Sequence, residues 1–248
     1  MLKGEKSGEK ASGMFSNFGK GDSKRTARIV KTVFLVAFCL AAGVISFRYF
    51  KIYNAQEDKI NQLERALHEL RSAMNVDSVR QYSIQKIISI IARFNPNMDS
   101  ASKYEIANTI YEMSVKYPNL DIDLICATIT HESSRSWNPQ ITSHAGAMGL
   151  MQIMPMTGMY VAQYEGITWT SDQDILFNPL YNIRIGCRYL SSMISEYDID
   201  GGLAAYNGGE RRAALWIKKN RADGILWNET SNYIPSILKL YDEYRDMN

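Results

Sequence analysis

Apolar residues change their spacing three times along this chain. Residues 29–50, IVKTVFLVAFCLAAGVISFRYF, form one apolar run broken only by Lys31 and Arg48 near its ends. From 51 to 78 the large apolar residues thin out to Ile60, Leu63, Leu67, Leu70 and Met74, spaced 3, 4, 3, 4. Tyr53 and Gln56 continue that a/d spacing backwards. From 79 onward the spacing is that of successive amphipathic helices. Ile84, Ile87, Ile88, Ile91 and Phe94 mark one, closed by Asn95-Pro96-Asn97. Ile106, Ile110 and Met113 mark the next, closed by Pro118. A third carries Leu124, Ile125 and Ile129, with Asp121 or Asp123 available as its N-cap. No pairs of alternating strands joined by hairpin turns occur, so the fold class expected is all-α.

These regimes suggest four segments. Residues 1–28 are rich in Gly, Ser and Lys and should be disordered. Residues 29–50 are the membrane candidate. The 16 uncharged positions between Lys31 and Arg48 fall short of the roughly 20 that a spanning helix needs. Both end cations can snorkel and extend the span, and Tyr49, Phe50 and Tyr53 would form an interfacial belt. Lys20, Lys24, Arg25, Arg28 and Lys31 crowd the N-terminal flank, whereas Arg48 and Lys51 are soon followed by Glu57 and Asp58. The positive-inside rule then puts the N-terminus in the cytoplasm and the rest outside it. A cleaved signal peptide is the rival, but the long tail before the run and Arg48 after it favour an uncleaved anchor. Residues 51–98 are read as a helical stalk or connector, its stripe packing either on the domain or on a second copy. Residues 99–248 are expected to form one helical domain.

Composition adds exclusions. The apolar share of 46% is ample for a packed core, and a formal net charge of +2 is too small to point to a polyanion. No Lys/Arg cluster with interleaved aromatics occurs in the C-terminal half, so nucleic-acid binding is not expected. The cysteines Cys39, Cys126 and Cys187 lack zinc-site spacing. Cys39 reads as apolar filler. Cys126 and Cys187 sit on presumed core helices as a possible disulfide or as two buried thiols.

The chemistry concentrates in ICATITHESSRSWNPQITSHAGAMGLMQIMP, residues 125–155. At about 100° per residue, Glu132 falls in line with Ile125, Thr128 and Ile129, so its side chain should point where the core points. A carboxyl partly stripped of water at the negative end of a helix dipole has its pKa raised and can donate a proton near neutral pH. His131-Glu132 begins like a HExxH zinc motif, but Arg135 stands where the second His must be. His68 and His144 offer no ligand spacing either, so no metal and no cofactor are expected. A G-x-S-x-G elbow is absent. No second acid stands out near Glu132; Glu165, Asp172 and Asp174 read as solvated.

Five blocks in order carry a family resemblance: THES (130–133), SHAGAMGLMQIMP (143–155), NPLYNIRIGCRYL (178–190), AAYNGG (204–209) and ETSNYI (229–234). Over roughly residues 100–245 the chain resembles the lytic transglycosylases, enzymes with a lysozyme-like helical domain that cleave the glycan strands of bacterial peptidoglycan. The resemblance implies that Glu132 is acid and then base, the sugar's own 6-hydroxyl supplying the nucleophile and a 1,6-anhydro ring forming. It implies substrate-binding roles for Ser143, Gln152, Met154, Tyr206 and Asn207, with Asn207 also capping its helix, and puts Glu229 and Tyr233 in support of the cleft wall. The spacing from Glu132 to Pro139 is two residues longer than the commoner family pattern, an insertion at SRSW that leaves Trp137 either stacking on a sugar or plugging the core.

The protein expected is a single-pass inner-membrane enzyme facing the periplasm, with peptidoglycan strands as substrate. A lysozyme-type hydrolase and a non-catalytic wall-binding scaffold are the alternatives. The anchor and stalk would also suit a helper of an envelope-spanning assembly.

Overall fold

A computed structural model describes residues 18–247. The chain divides into two compact units, Met1–Ala73 and Met74–Asn248.

The first unit, where described, is part of helix α1, Phe18–Phe94. Helix therefore begins inside the segment 1–28 expected to be disordered; residues 1–17 of that segment lie outside the described residues. The stretch Arg25–Phe94 contains the one window among the described residues that is long and apolar enough to cross a membrane.

The second unit starts within α1 and continues through α2 (Ser100–Lys116), α3 (Ile122–Glu132), α4 (Pro155–Ala162), a 3-10 turn at Gln163–Glu165, α5 (Asp172–Leu176), α6 (Pro179–Gly208), α7 (Glu210–Lys218) and α8 (Asn228–Arg245). Among the described residues β structure is limited to two single bridges, Thr142 with Met148 and Met148 with Ile153. α6 is the hub, packing against α2, α4, α5, α7 and α8, while α3 lies against α8 and α2. α6 bends at Asp198, whose φ of 60° interrupts the helix.

The last turns of α1 belong to the domain, which moves its boundary from the expected residue 99 back to 74. Ile84, Ile87, Ile90 and Ile91 are fully buried in its core. Polar ties reinforce them: Arg80 donates to Asn108 at 2.7 Å, and Lys86 pairs with Asp123 at 3.0 Å. Arg93 pairs with Glu243 at 2.5 Å. Burying four isoleucines is worth several kcal/mol, more than a peripheral connector would contribute.

Glu165 corrects the expectation of a solvated acid. It is 5% exposed and sits where three cations converge. Lys116 donates to it at 2.7 Å, Arg184 and Arg188 lie 3.5 and 3.6 Å away, and Tyr117 donates through its hydroxyl. Burial alone would raise this carboxyl; the hydrogen bonds of Lys116 and Tyr117 and the charges of Lys116 and Arg184 outweigh it and hold the group below its ordinary value.

Cys126 and Cys187 are two separate buried thiols, so of the alternatives open for them the disulfide is not formed. Burial pushes both well up from the ordinary thiol range.

Candidate active site

Helix α3 begins with Asp121, whose carboxylate accepts from the Leu124 amide at 2.8 Å, and ends at Glu132. Every residue from Leu124 to Thr130 is buried, so the helix is held on all sides and presents Glu132 at a fixed point. The SRSW insertion follows at once. Ser134, Arg135 and Trp137 all have positive φ, an unusual density of left-handed backbone for residues with side chains. What holds it is Trp137, completely buried, whose Nε1 donates to Thr130 Oγ1 at 3.0 Å. Tyr244 donates to the same hydroxyl at 2.9 Å. Trp137 therefore plugs the core beneath the acid and is not available to stack on a sugar.

Glu132 is partly buried. Tyr233 of α8 donates to its Oε1 at 2.6 Å. Burial pushes the Glu132 carboxyl up to about 7; the Tyr233 hydrogen bond pulls the other way, and the charge of Glu229 adds to the rise. Tyr233 is itself 2% exposed, and its hydroxyl is raised well above the usual phenol range, first by burial and then by the Glu132 charge. His131 packs edge-on against the Tyr233 ring, centroids 4.9 Å apart at 80°. Burial, then the Arg135 charge, lowers the imidazole below its ordinary value, which favours its neutral form.

The Ser143–Pro155 loop leads into α4. Ser143 Oγ accepts from the Ala147 amide at 3.0 Å and so closes the first bend. Gly146 and Gly149 supply φ of 89° and 78°. At Gly149 a Cβ would come within 2.2 Å of the Leu176 carbonyl and 2.3 Å of Asn182 Nδ2, so both conformation and space require glycine. Asn182, fully buried on α6, anchors the loop: its amide donates to the Met148 and Leu176 carbonyls, and its oxygen accepts from the Met151 amide at 2.8 Å. Gln152, at a φ of 48°, donates through its side chain to the Gly149 carbonyl at 2.9 Å. Met154 is 45% exposed just before α4.

Tyr206, near the end of α6, donates to the Met151 carbonyl at 2.7 Å. Burial raises its hydroxyl well above the ordinary range, and the Glu132 charge adds to the shift, so the phenol lies within electrostatic reach of the acid. The Tyr189 ring stands 5.3 Å from that of Tyr206. Tyr189 also lines a cavity of about 440 Å³ with Tyr160, Tyr164, Arg188 and Glu210. Asn207 accepts from Thr230 Oγ1 at 2.7 Å, tying the end of α6 to α8 beside Glu229 and acting as a tie, not a cap.

Of the residues expected to form the site, Glu132 and Tyr206 are brought into one electrostatic neighbourhood. Ser143 and Gln152 are committed to holding the loop, Met154 lies exposed at its end, and Asn207 braces α8. The direct partner of Glu132 is Tyr233, for which the sequence suggested only a supporting place. Its stripe on α8, with Thr230, Ile234 and Ile237 also buried, is the signal that identifies the face turned inward. Glu229, exposed in the first turn of α8, is a carboxylate near Glu132 that sequence spacing did not reveal, because 97 positions separate the two.

Residues 110–226 match the Transglycosylase SLT domain family. A putative soluble lytic murein transglycosylase from Haemophilus influenzae is 33% identical over 138 residues, 51% of this chain and 23% of that protein. Membrane-bound lytic murein transglycosylase C from Photorhabdus laumondii is 32% identical over 177 residues, 63% of this chain and 49% of that protein. Among solved structures, an inactive mutant of the lytic transglycosylase Slt from Pseudomonas aeruginosa superposes with a TM-score of 0.50 at 28% identity, covering 61% of this chain and 24% of that one. The chain thus spans less than half the length of each of these proteins. The sequence match and the helical fold around Glu132 agree: over residues 110–226 this chain is similar to the Transglycosylase SLT domain family.

Proposed function

We propose that this chain is a membrane-anchored lytic transglycosylase, cutting the β-1,4 bond between N-acetylmuramic acid and N-acetylglucosamine in peptidoglycan. The observation that carries this reading is a single sheltered carboxyl, Glu132, whose pKa of about 7 equips it both to give and to take a proton at neutral pH.

Protonated Glu132 gives its proton to the glycosidic oxygen as the C1–O bond breaks, and the departing N-acetylglucosamine leaves with a free 4-hydroxyl. Positive charge develops at C1. The Glu132 carboxylate, steadied by the Tyr233 hydroxyl, then takes the proton of the muramic acid 6-hydroxyl. O6 closes onto C1, giving the 1,6-anhydro ring. No water enters, and Glu132 ends protonated as it began. Tyr206, within electrostatic reach of Glu132, is read as the phenol that helps hold the reacting sugar, and the tyrosine-lined cavity beside Tyr189 suits sugars further along the strand.

The apolar run at 29–50, with its basic N-terminal flank, supports an inner-membrane anchor that leaves residues from 51 onward in the periplasm. The membrane-bound name of the Photorhabdus laumondii relative agrees with this. Residues 51–73 then act as a stalk. Work beside an envelope-spanning assembly is a compatible setting for such an anchored enzyme.

One observation favours a second reading. Glu229 is a carboxylate whose charge is felt at Glu132, and a lysozyme-type hydrolase would use such a group to activate water. Glu229 is exposed in the first turn of α8, which fits a bystander better than a base held ready.

The test is turnover of purified peptidoglycan by the full chain in detergent micelles, beside its Glu132→Gln variant. Wild type is expected to release soluble muropeptides and the variant to lose at least about a hundredfold in rate while keeping its helical spectrum. Retention of most activity by Glu132→Gln would overturn the assignment.

A further inference from the structure

We propose that residues 53–74 form a parallel two-stranded coiled coil with a second copy of this chain. The orientation and the local concentration of the two copies rest on the anchor read above; the seam and its charge pattern do not.

Ile60, Leu63, Leu67, Leu70 and Met74 are 53–63% exposed on α1, in contrast to the fully buried isoleucines further along the same helix. They follow the 3, 4, 3, 4 spacing that puts alternate layers at a and d of a heptad. The positions opposite this seam are polar: Asp58, Asn61, Arg65, His68, Glu69 and Ser72. A helix whose only apolar face is a two-sevenths seam fits one other helix of the same kind; packing on a globular surface calls for a broader face.

Charge decides whether a second copy is accepted. In a parallel pair each g residue meets the e residue five positions on in the partner. The pairs are Ile52 with Glu57, Lys59 with Glu64, and Ala66 with Arg71. Lys59 and Glu64 attract, and twofold symmetry provides that contact twice. The other two pairs each contain an uncharged member, so no like charges oppose each other. Tyr53 and Gln56 complete the layers toward the span, where Gln56 at d can hydrogen-bond its counterpart and fix the register.

Three heptads are weak in dilute solution. An anchor at 29–50 holds two copies in one membrane with their seams pointing the same way, raising their effective concentration as a short tether does. The pairing therefore needs only modest intrinsic affinity.

The test is cysteine cross-linking of the full chain in isolated membranes, in a Cys39→Ala background so that the span cannot cross-link itself. Leu63→Cys and Leu70→Cys place the sulfurs at d, and Arg65→Cys and Ser72→Cys place them on the outer face. Mild oxidation is expected to give disulfide dimers from the two d variants, at least about fivefold more than from the two outer ones. A Leu63→Asp, Leu67→Asp double variant, cross-linked with an amine-reactive reagent, is expected to lose the dimer band that wild type gives. Equal cross-linking at all four positions, or none, overturns the proposal. Extraction of the chain by alkaline carbonate with d-selective cross-linking intact leaves the pairing standing and removes the anchor.

Discussion

The Tyr233 hydroxyl lies 2.6 Å from Oε1 of Glu132, joining residues 101 positions apart on α8 and α3. This bond opposes the burial that raises the acid, and so it sets where Glu132 titrates. In Tyr233→Phe the donor is gone and the carboxylate is less stabilised. The pKa of Glu132 then rises further above 7, by about one unit or more for a hydrogen bond to a charged group. The alkaline limb of the rate–pH profile should move up by that amount, because the protonated form that begins the cycle persists to higher pH. A pH–rate series on both proteins checks this; an unmoved limb would count against the tuning role.

The raised pKa of Glu132 is also a stability statement. The folded protein holds this proton up to about pH 7, the unfolded chain only to about 4.5. Between those values the folded state binds more protons, so its stability falls as pH rises through that window. Glu132→Gln removes the titration. The variant is expected to gain in stability over wild type by about 2–3 kcal/mol more at pH 8 than at pH 5. Calorimetric melting at both pH values measures the difference, and equal gains would mean that Glu132 titrates normally.

Glu165 shows the opposite sign. Lys116, Arg184, Arg188 and Tyr117 hold its folded-state pKa below the unfolded value, so its contribution is present above the ordinary carboxylate range and is lost as pH falls through the lowered pKa. Glu165→Gln leaves three cations facing a neutral amide. The cations are 32–43% exposed, which screens them, so a loss of about 2 kcal/mol is expected, less than for a fully buried pair. Chemical denaturation at pH 7 should register it, with the wild-type advantage shrinking below about pH 4.

Gly149→Ala tests the loop. The added methyl meets the Leu176 carbonyl and Asn182 at a φ of 78°, so the loop bearing Met151 and Gln152 must move. Activity should fall by about tenfold or more, through displacement of the Met151 carbonyl that Tyr206 grips. Gly146→Ala, with open space around its Cβ, should suffer far less in the same assay.

What the sequence made legible follows from the range of each signal. Helical spacing located α2 and α3, and the alignment of Glu132 with Ile125 and Ile129 anticipated a sheltered acid. The same spacing could not tell that Ile84 to Ile91 belong to the domain core, because an amphipathic stripe does not name what it packs on. Glu165 looked solvated in its polar surroundings, since the cations that bury it come from α2 and α6. Trp137 offered two fates, and only the position of Thr130 chose between them. Tyr233 and Glu229 come to Glu132 through the packing of α8 on α3, a contact that no local pattern encodes.

The most direct measurement is the mass of the fragments released from purified peptidoglycan by the full chain in water enriched with oxygen-18. A transglycosylase leaves muramic ends one water lighter than a hydrolysis product, without the heavy label and resistant to borohydride. Products that carry the label and reduce with borohydride would mean that water, not O6, attacks C1, contradicting the 1,6-anhydro closure in which Glu132 takes the O6 proton.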